Sequence, residues 1–185
     1  MRSKPKPWEE PGSIWKTQSA YYAWLRGQIR RAWSRYPVKN AFIRERRFKK
    51  EVGRFKNGKT KTVFCGVCDC CGEEFKMSEL SVDHIMPAGS LRGPEDLESF
   101  ITRLFCSYQN MQLLCKECHT VKTYADKYSI TMTEAKAGIN AALMKKLPVV
   151  KYNEALTKLG ASPEHLKNKT TRDNFLHETF NIHWL

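Results

Sequence analysis

Apolar positions recur three and four residues apart over residues 17–36, where Tyr22, Leu25, Ile29, Ala32, Trp33 and Tyr36 share one face and Arg31 and Arg35 take the other. This predicts an amphipathic helix that Pro37 ends. A second helix is predicted over residues 38–52, with Phe42, Phe48 and Val52 as its apolar side and Arg44, Arg46, Arg47, Lys49 and Lys50 crowding the rest. Two such helices in an antiparallel pair would present a cationic face. Asn57-Gly58 is the dipeptide a tight hairpin turn prefers, and Thr62, Val63 and Phe64 then lead as a strand into the first cysteines. Residues 80–85 alternate as a strand, residues 94–105 read as a helix with Pro94 in its first turn, residues 110–115 as a second strand, and a helix begins at Glu117. Thr131 and Glu134 are spaced as a capping box for a helix running to Leu147 and closed by Pro148. Shorter helices are expected over residues 153–159, from Ser162-Pro163, and over residues 171–179. The proline-rich residues 1–13 read as an irregular lead-in, mobile or laid along a partner. There is no internal repeat and no low-complexity tract.

Composition narrows the class. At 185 residues the chain can form one domain, or a small core with two appendages. Apolar residues make up 41% and charged residues 28%, a soluble globular balance, and no run approaches the roughly eighteen apolar residues a bilayer span requires. The basic N-terminus has no apolar stretch behind it, so the chain is expected to stay in the intracellular, reducing compartment where it is made. Seven cysteines there indicate metal ligation and buried thiols rather than disulfides. The charge is lopsided: up to Phe64 there are 18 Lys and Arg against 4 Asp and Glu, net +14, and from Cys65 onward 14 against 15, net −1. A basic segment joined to a near-neutral body is the electrostatic footprint of a polyanion binder. Trp24 and Tyr21 lie off the main apolar face of the first helix and are the aromatic candidates for base stacking, although such stripes more often form core.

Cys68 with Cys71 and Cys115 with Cys118 are two C-x-x-C pairs separated by 43 residues. Two residues between thiolates let both sulfurs converge on a tetrahedral ion, and four sulfurs close the sphere, so this metal would be a structural zinc. Cys65 with Cys68 is a competing pair. Gly72 after Cys71 favours the 68–71 assignment, because glycine supplies the positive torsion of a knuckle turn. Cys65, Cys70 and Cys106 are then expected to be buried filler.

Between the pairs stand Val82-Asp83-His84-Ile85 and Pro87, then Asn110, Gln112, Leu113 and Leu114, then His119 and Lys122 behind the last cysteines. In this order, from Cys68 through Lys122, the chain resembles the HNH, or ββα-metal, nuclease superfamily. The resemblance implies a zinc-stapled strand–strand–helix core in which Asp83, His84, Asn110 and His119 form the active site. Chemistry gives each a task. Phosphodiester hydrolysis needs an activated water, charge neutralisation on the phosphoryl oxygens and a protonated leaving group. An imidazole, which titrates near about pH 6.5, suits His84 to take the proton from water. Asp83 would point to the opposite side of the strand, and its carboxylate with the His119 imidazole can hold one hard divalent ion, magnesium or manganese. The family pattern makes Asn110 the brace that orients the base. Lys122 is placed to contact phosphate, and the basic residues Arg31, Arg35, Arg44, Arg46, Arg47, Lys49 and Lys50 extend the nucleic-acid surface. The 25 residues between His84 and Asn110 depart from the compact pattern.

The expected architecture is α+β: a basic helical and hairpin arm at residues 1–64, an HNH core at 65–130 and a helical appendage at 131–185. The expected function is DNA endonuclease, on double-stranded DNA, as a nicking monomer or a double-strand-cutting homodimer. A phage homing-type role in a bacterial cytoplasm is implied by the resemblance, with packaging or restriction nucleases beside it. Rival readings are a zinc-dependent nucleic-acid-binding protein that does not cleave and a zinc module that binds proteins.

Overall fold

Thr17 opens the first helix by accepting the Ala20 amide hydrogen on its hydroxyl oxygen at 3.1 Å, which satisfies one of the amides a helix start leaves open. The computed structural model describes residues 6–181, so the first five positions of the lead-in lie outside the described residues. The described chain is mixed α and β, with two small antiparallel sheets and seven α-helices, and divides into two compact units, Met1–Lys116 and Glu117–Leu185. Among the described residues no helix is long and apolar enough to cross a membrane.

In the first unit, α1 (Gln18–Trp33) and α2 (Pro37–Arg46) turn their apolar sides inward. Tyr22 packs with Ala88, Leu91, Phe100 and Leu104, and Leu25, Ile29 and Trp33 lie alongside. Phe42 packs with Cys106, Met111 and Leu113. The two helices therefore cover the segment between the later strands. Trp8 of the lead-in stacks against Tyr21 and Tyr22, with ring centroids 5.7 and 6.0 Å away, so this part of the lead-in is packed rather than mobile.

The second helix is shorter than its periodicity predicts. It stops at Arg46, Arg47 is extended, and Phe48–Arg54 forms strand β1. β1 pairs antiparallel with β2 (Thr60–Val67) from Phe48↔Cys65 to Arg54↔Thr60, with a bulge between Glu51 and Gly53. Pairing with β2, which is rich in Thr, Val and Phe, satisfies the backbone of residues 48–54, and this outweighs a local helical pattern. Asn57-Gly58 sits in the connecting loop, where Gly58 has φ +81° and its amide donates to Phe55 O at 2.9 Å. β3 (Glu74–Lys76) completes this sheet on β2.

The second sheet is the pair β4 (Leu80–His84) and β5 (Met111–Cys115), in register from Leu80↔Cys115 to His84↔Met111. Between them lie a 3-10 turn at Pro94–Asp96 and α3 (Leu97–Leu104), which together occupy the helix expected there, and a second 3-10 turn at Tyr108–Asn110, so that Asn110 precedes the strand expected to begin with it. β5 runs straight into α4 (Lys116–Tyr128).

In the second unit, Val121 and Ala125 of α4 pack on Ala135 of α5 (Met132–Met144). The capping box is present: Thr131 caps the Glu134 amide, and Glu134 accepts from Thr131 N at 2.8 Å. α5 ends at Met144, and Pro148, expected only to close it, also starts α6 (Val149–Lys158), earlier than the pattern predicts. Ser162-Pro163 opens a 3-10 turn, Pro163–Leu166, rather than a helix. With α7 (Lys169–Phe180) these elements bury Ala141, Tyr152, Leu156, Ala161 and Leu176 together.

Candidate functional site

The sulfur atoms of Cys68, Cys71, Cys115 and Cys118 all lie within 4.8 Å of one another. A tetrahedral ion with metal–sulfur bonds of about 2.3 Å would set them roughly 3.8 Å apart. The four cysteines are thus positioned to hold a metal ion, and the donor set is compatible with zinc. Local structure explains the convergence. Gly72 takes φ +73° and its amide donates to Cys68 O at 2.9 Å, while Cys68 N donates to Glu73 O at 2.9 Å. Asp69 fastens this knuckle to β5, with its amide donating to Leu113 O at 2.8 Å and its Oδ2 accepting from Leu113 N at 2.7 Å. Arg46 pairs with the other carboxylate oxygen.

The Cys115 amide points at Cys68 Sγ from 3.4 Å. Burial pushes the Cys68 thiol up, but the amides of Cys71, Cys115 and Cys70 and the Cys71 side chain outweigh it, and the thiol is held at about 7 against the usual 9.0. Amides aimed at a sulfur favour the thiolate that a metal binds. Cys65 and Cys106 are buried, as expected of filler, and burial raises the Cys106 thiol. Cys70 is exposed instead, because it occupies the outward corner of the knuckle between two ligands.

β4 delivers Asp83 and His84 to opposite faces. His84 shares a face with Val82, Leu113 and Met111 and is only 9% exposed. Its Nε2 lies 2.8 Å from Leu104 O, the last carbonyl of α3. A carbonyl only accepts, so the neutral ring carries its proton on Nε2 and its lone pair on Nδ1. Trp33 packs on the same ring with centroids 4.5 Å apart. Across the strand pair, Gln112 donates from Nε2 to Asp83 Oδ2 at 3.2 Å and so fixes the carboxylate.

Asn110 clamps the chain as it leaves β4. Its Oδ1 accepts from Met86 N at 2.7 Å, its Nδ2 donates to Met86 O at 3.1 Å, and its own carbonyl accepts from Ile85 N at 3.0 Å. The side-chain amide acts here as one more rung of the strand ladder. In the second unit, His119 stands in the first turns of α4, where Thr123 Oγ1 donates to its carbonyl at 2.8 Å, and Lys122 pairs with Asp126 one turn on.

Compared with known proteins, the chain matches no family model, no curated protein and no solved structure. The site's meaning must come from its own geometry.

Of the basic residues singled out, Arg46 pairs with Asp69 and Lys50 with Glu74, Arg47 lies 4.1 Å above the Phe64 ring, and Arg31 donates to Gln28 Oε1 at 3.1 Å. Arg35, Arg44 and Lys49 are exposed. Four contributors escaped the sequence. Leu104 acts through its carbonyl, which leaves no trace in the residue type. Trp33 reads as helix core, Gln112 as a strand residue and Asp69 as a spacer between cysteines. The available signals were a polar residue inside a cysteine knuckle and the place of Gln112 in the motif that carries the resemblance, which gave it no task.

Proposed function

We propose that this chain is a zinc-stapled HNH-type endonuclease that hydrolyses phosphodiester bonds of double-stranded DNA. The observation that carries the reading is the anchoring of His84: a buried imidazole whose Nε2 proton is committed to a main-chain carbonyl, on a strand whose exit is clamped by Asn110. A structural histidine usually satisfies both nitrogens or faces solvent. Here one nitrogen is pinned and Nδ1 is kept as the basic one, which is how a general base is prepared.

In this reading His84 Nδ1 takes a proton from the attacking water. The positive ring that results keeps its Nε2 hydrogen bond to Leu104 and rests against the electron-rich face of Trp33. Asn110 holds the loop that follows, so the ring does not swing as charge develops. Asp83, oriented by Gln112, and His119 offer a carboxylate oxygen and an imidazole nitrogen, a donor set that magnesium or manganese accepts. Such an ion supplies positive charge for the phosphoryl oxygens and the departing alkoxide. Zinc held by Cys68, Cys71, Cys115 and Cys118 would have four sulfur ligands and would serve the fold alone.

A supercoiled-plasmid assay with added magnesium or manganese tests this. Open-circle product should require the ion, and His84→Ala should lower its rate by about 100-fold or more. DNA binding of normal strength with no cleavage on several substrates would leave a binding protein in place of a nuclease.

A further inference from the structure

The β1–β2 ribbon has no core side over most of its length. Every residue of β1 is exposed, as are the loop and the first residues of β2. An isolated hairpin of this kind contributes little to stability, since both its faces stay in water. Between Arg47 and Lys61 it carries seven cations against one acid, Glu51. Only Lys50 meets a carboxylate, Glu74; the other six have no acidic partner among the described residues. Lysines can blunt a sheet edge. That role does not account for Phe55 at 53%, Val52 at 47% and Phe64 at 40% exposure among them.

The register separates the two faces. Lys49, Glu51, Thr62 and Phe64 share one, joined beyond the bulge by Arg54 and Thr60. Lys50, Lys61 and Val63 share the other, which turns inward at its root, where Cys65 is buried. The Lys49 face is therefore the one open from root to tip. Arg47 and Lys49 flank the Phe64 ring, at 4.1 and 5.9 Å, and Lys61 stands 5.9 Å from the Phe55 ring.

We propose that this ribbon enters the major groove of duplex DNA with its Lys49 face toward the base edges and the loop cations Lys56 and Lys59 toward the phosphates. The major groove, about 12 Å wide and 8.5 Å deep, admits a two-stranded ribbon. Seven strand residues reach roughly 20 Å, enough to lie along its floor. The face carries the side chains that read it: Arg and Lys donate to guanine O6 and N7, Thr pairs with either partner, Glu accepts from cytosine N4, and Phe packs on the thymine methyl. The major groove of A-form RNA is too narrow and deep for such an element, so charge complementarity alone is not the claim. The inference rests on the nuclease reading only in taking DNA as the polymer.

The full chain, with zinc and without added magnesium, would be titrated into a labelled mixed-sequence DNA duplex and an RNA duplex of the same sequence, with dimethyl sulfate probing of guanine N7. A Lys49→Gln, Arg54→Gln double variant would be compared with Lys151→Gln, Lys158→Gln, which removes the same charge from exposed positions on α6. DNA should bind in preference to RNA, with N7 protected. The ribbon variant should lose about tenfold or more in affinity, roughly two units of salt slope and the N7 protection, while the α6 variant keeps them. Equal binding of RNA, equal loss in both variants, N7 protection surviving in the ribbon variant, or binding to no duplex at all would overturn the proposal. Nicking is scored separately: N7 protection lost with Lys49 and Arg54 but no cleavage by the parent removes the nuclease and keeps the ribbon, and cleavage with an inert ribbon does the reverse.

Discussion

Asn110 shows how much one side chain can hold. Its amide gives and takes a hydrogen bond with the same residue, Met86, so no smaller or singly functional group replaces it. Asn110→Ala should lower stability by about 1–2 kcal/mol in a denaturant titration. On the nuclease proposal the same change should lower plasmid nicking by roughly 100-fold, because the exit of β4 and the His84 ring on it lose their alignment. A variant cleaving at the parental rate would show that the clamp is structural only. Asp69 makes a parallel case at the knuckle. Asp69→Ala leaves the buried Leu113 amide without its acceptor, costs about 1–3 kcal/mol, and should speed metal loss to a chromogenic chelator. At this scale the sequence was readable where a residue's chemistry is its side chain and its spacing is fixed, as for the four cysteines. It was silent on Leu104, whose main-chain carbonyl fixes the His84 tautomer, and on Trp33, whose indole looks like any core aromatic.

Elements were legible where local signals agreed. The Thr131 and Glu134 capping box and the alternation of residues 80–84 were both visible, since each is decided within a few residues. The failure at residues 47–52 has a physical cause: a basic stretch with apolar residues at near-helical spacing acquired a strand partner, β2, from beyond a loop the pattern could not weigh. In the second unit, the junction of α6 and α7 makes its own prediction. Burial first, then the neighbouring Asp173, pushes the Tyr152 hydroxyl up to about 12, from the usual 10.0, and it donates to Asp173 Oδ1 at 3.2 Å. The unfolded chain releases this proton near pH 10 while the folded one keeps it, so stability is full below that pH and falls as pH rises from 10 toward 12. Tyr152→Phe should flatten the fall in a thermal-melt series across that range; an equally steep fall would assign it to other groups, such as Tyr22, which burial also raises.

For the molecule as a whole, the four-cysteine site gathers residues far apart in sequence, and removing its ion should be felt widely. The purified protein should carry a single zinc per chain by elemental analysis, and prolonged chelation should lower its melting temperature by several degrees, restored by zinc but not by magnesium. An unchanged melt after verified zinc removal would mean that the sulfurs gather without a metal's help. Division into two units was not readable from the chain, because it falls inside one continuous helix and depends on which side chains pack together. The excess charge of the first 64 residues and a hairpin within it were readable, but not that Lys49 and Lys50 stand on the hairpin's first strand instead of a helix.

The two hydrogen bonds between Asp69 and Leu113 bear on how the ion arrives. In many small zinc modules the ligands are scattered until the metal gathers them, so capture waits on folding. Here Cys68 and Cys71 sit on a turn tied to the strand that ends in Cys115 by the amide and the carboxylate of Asp69. A turn so fastened should take up zinc at a rate proportional to free zinc, and do so again after each round of chelation, with no slow refolding phase when the chelated protein is mixed with the ion in stopped flow.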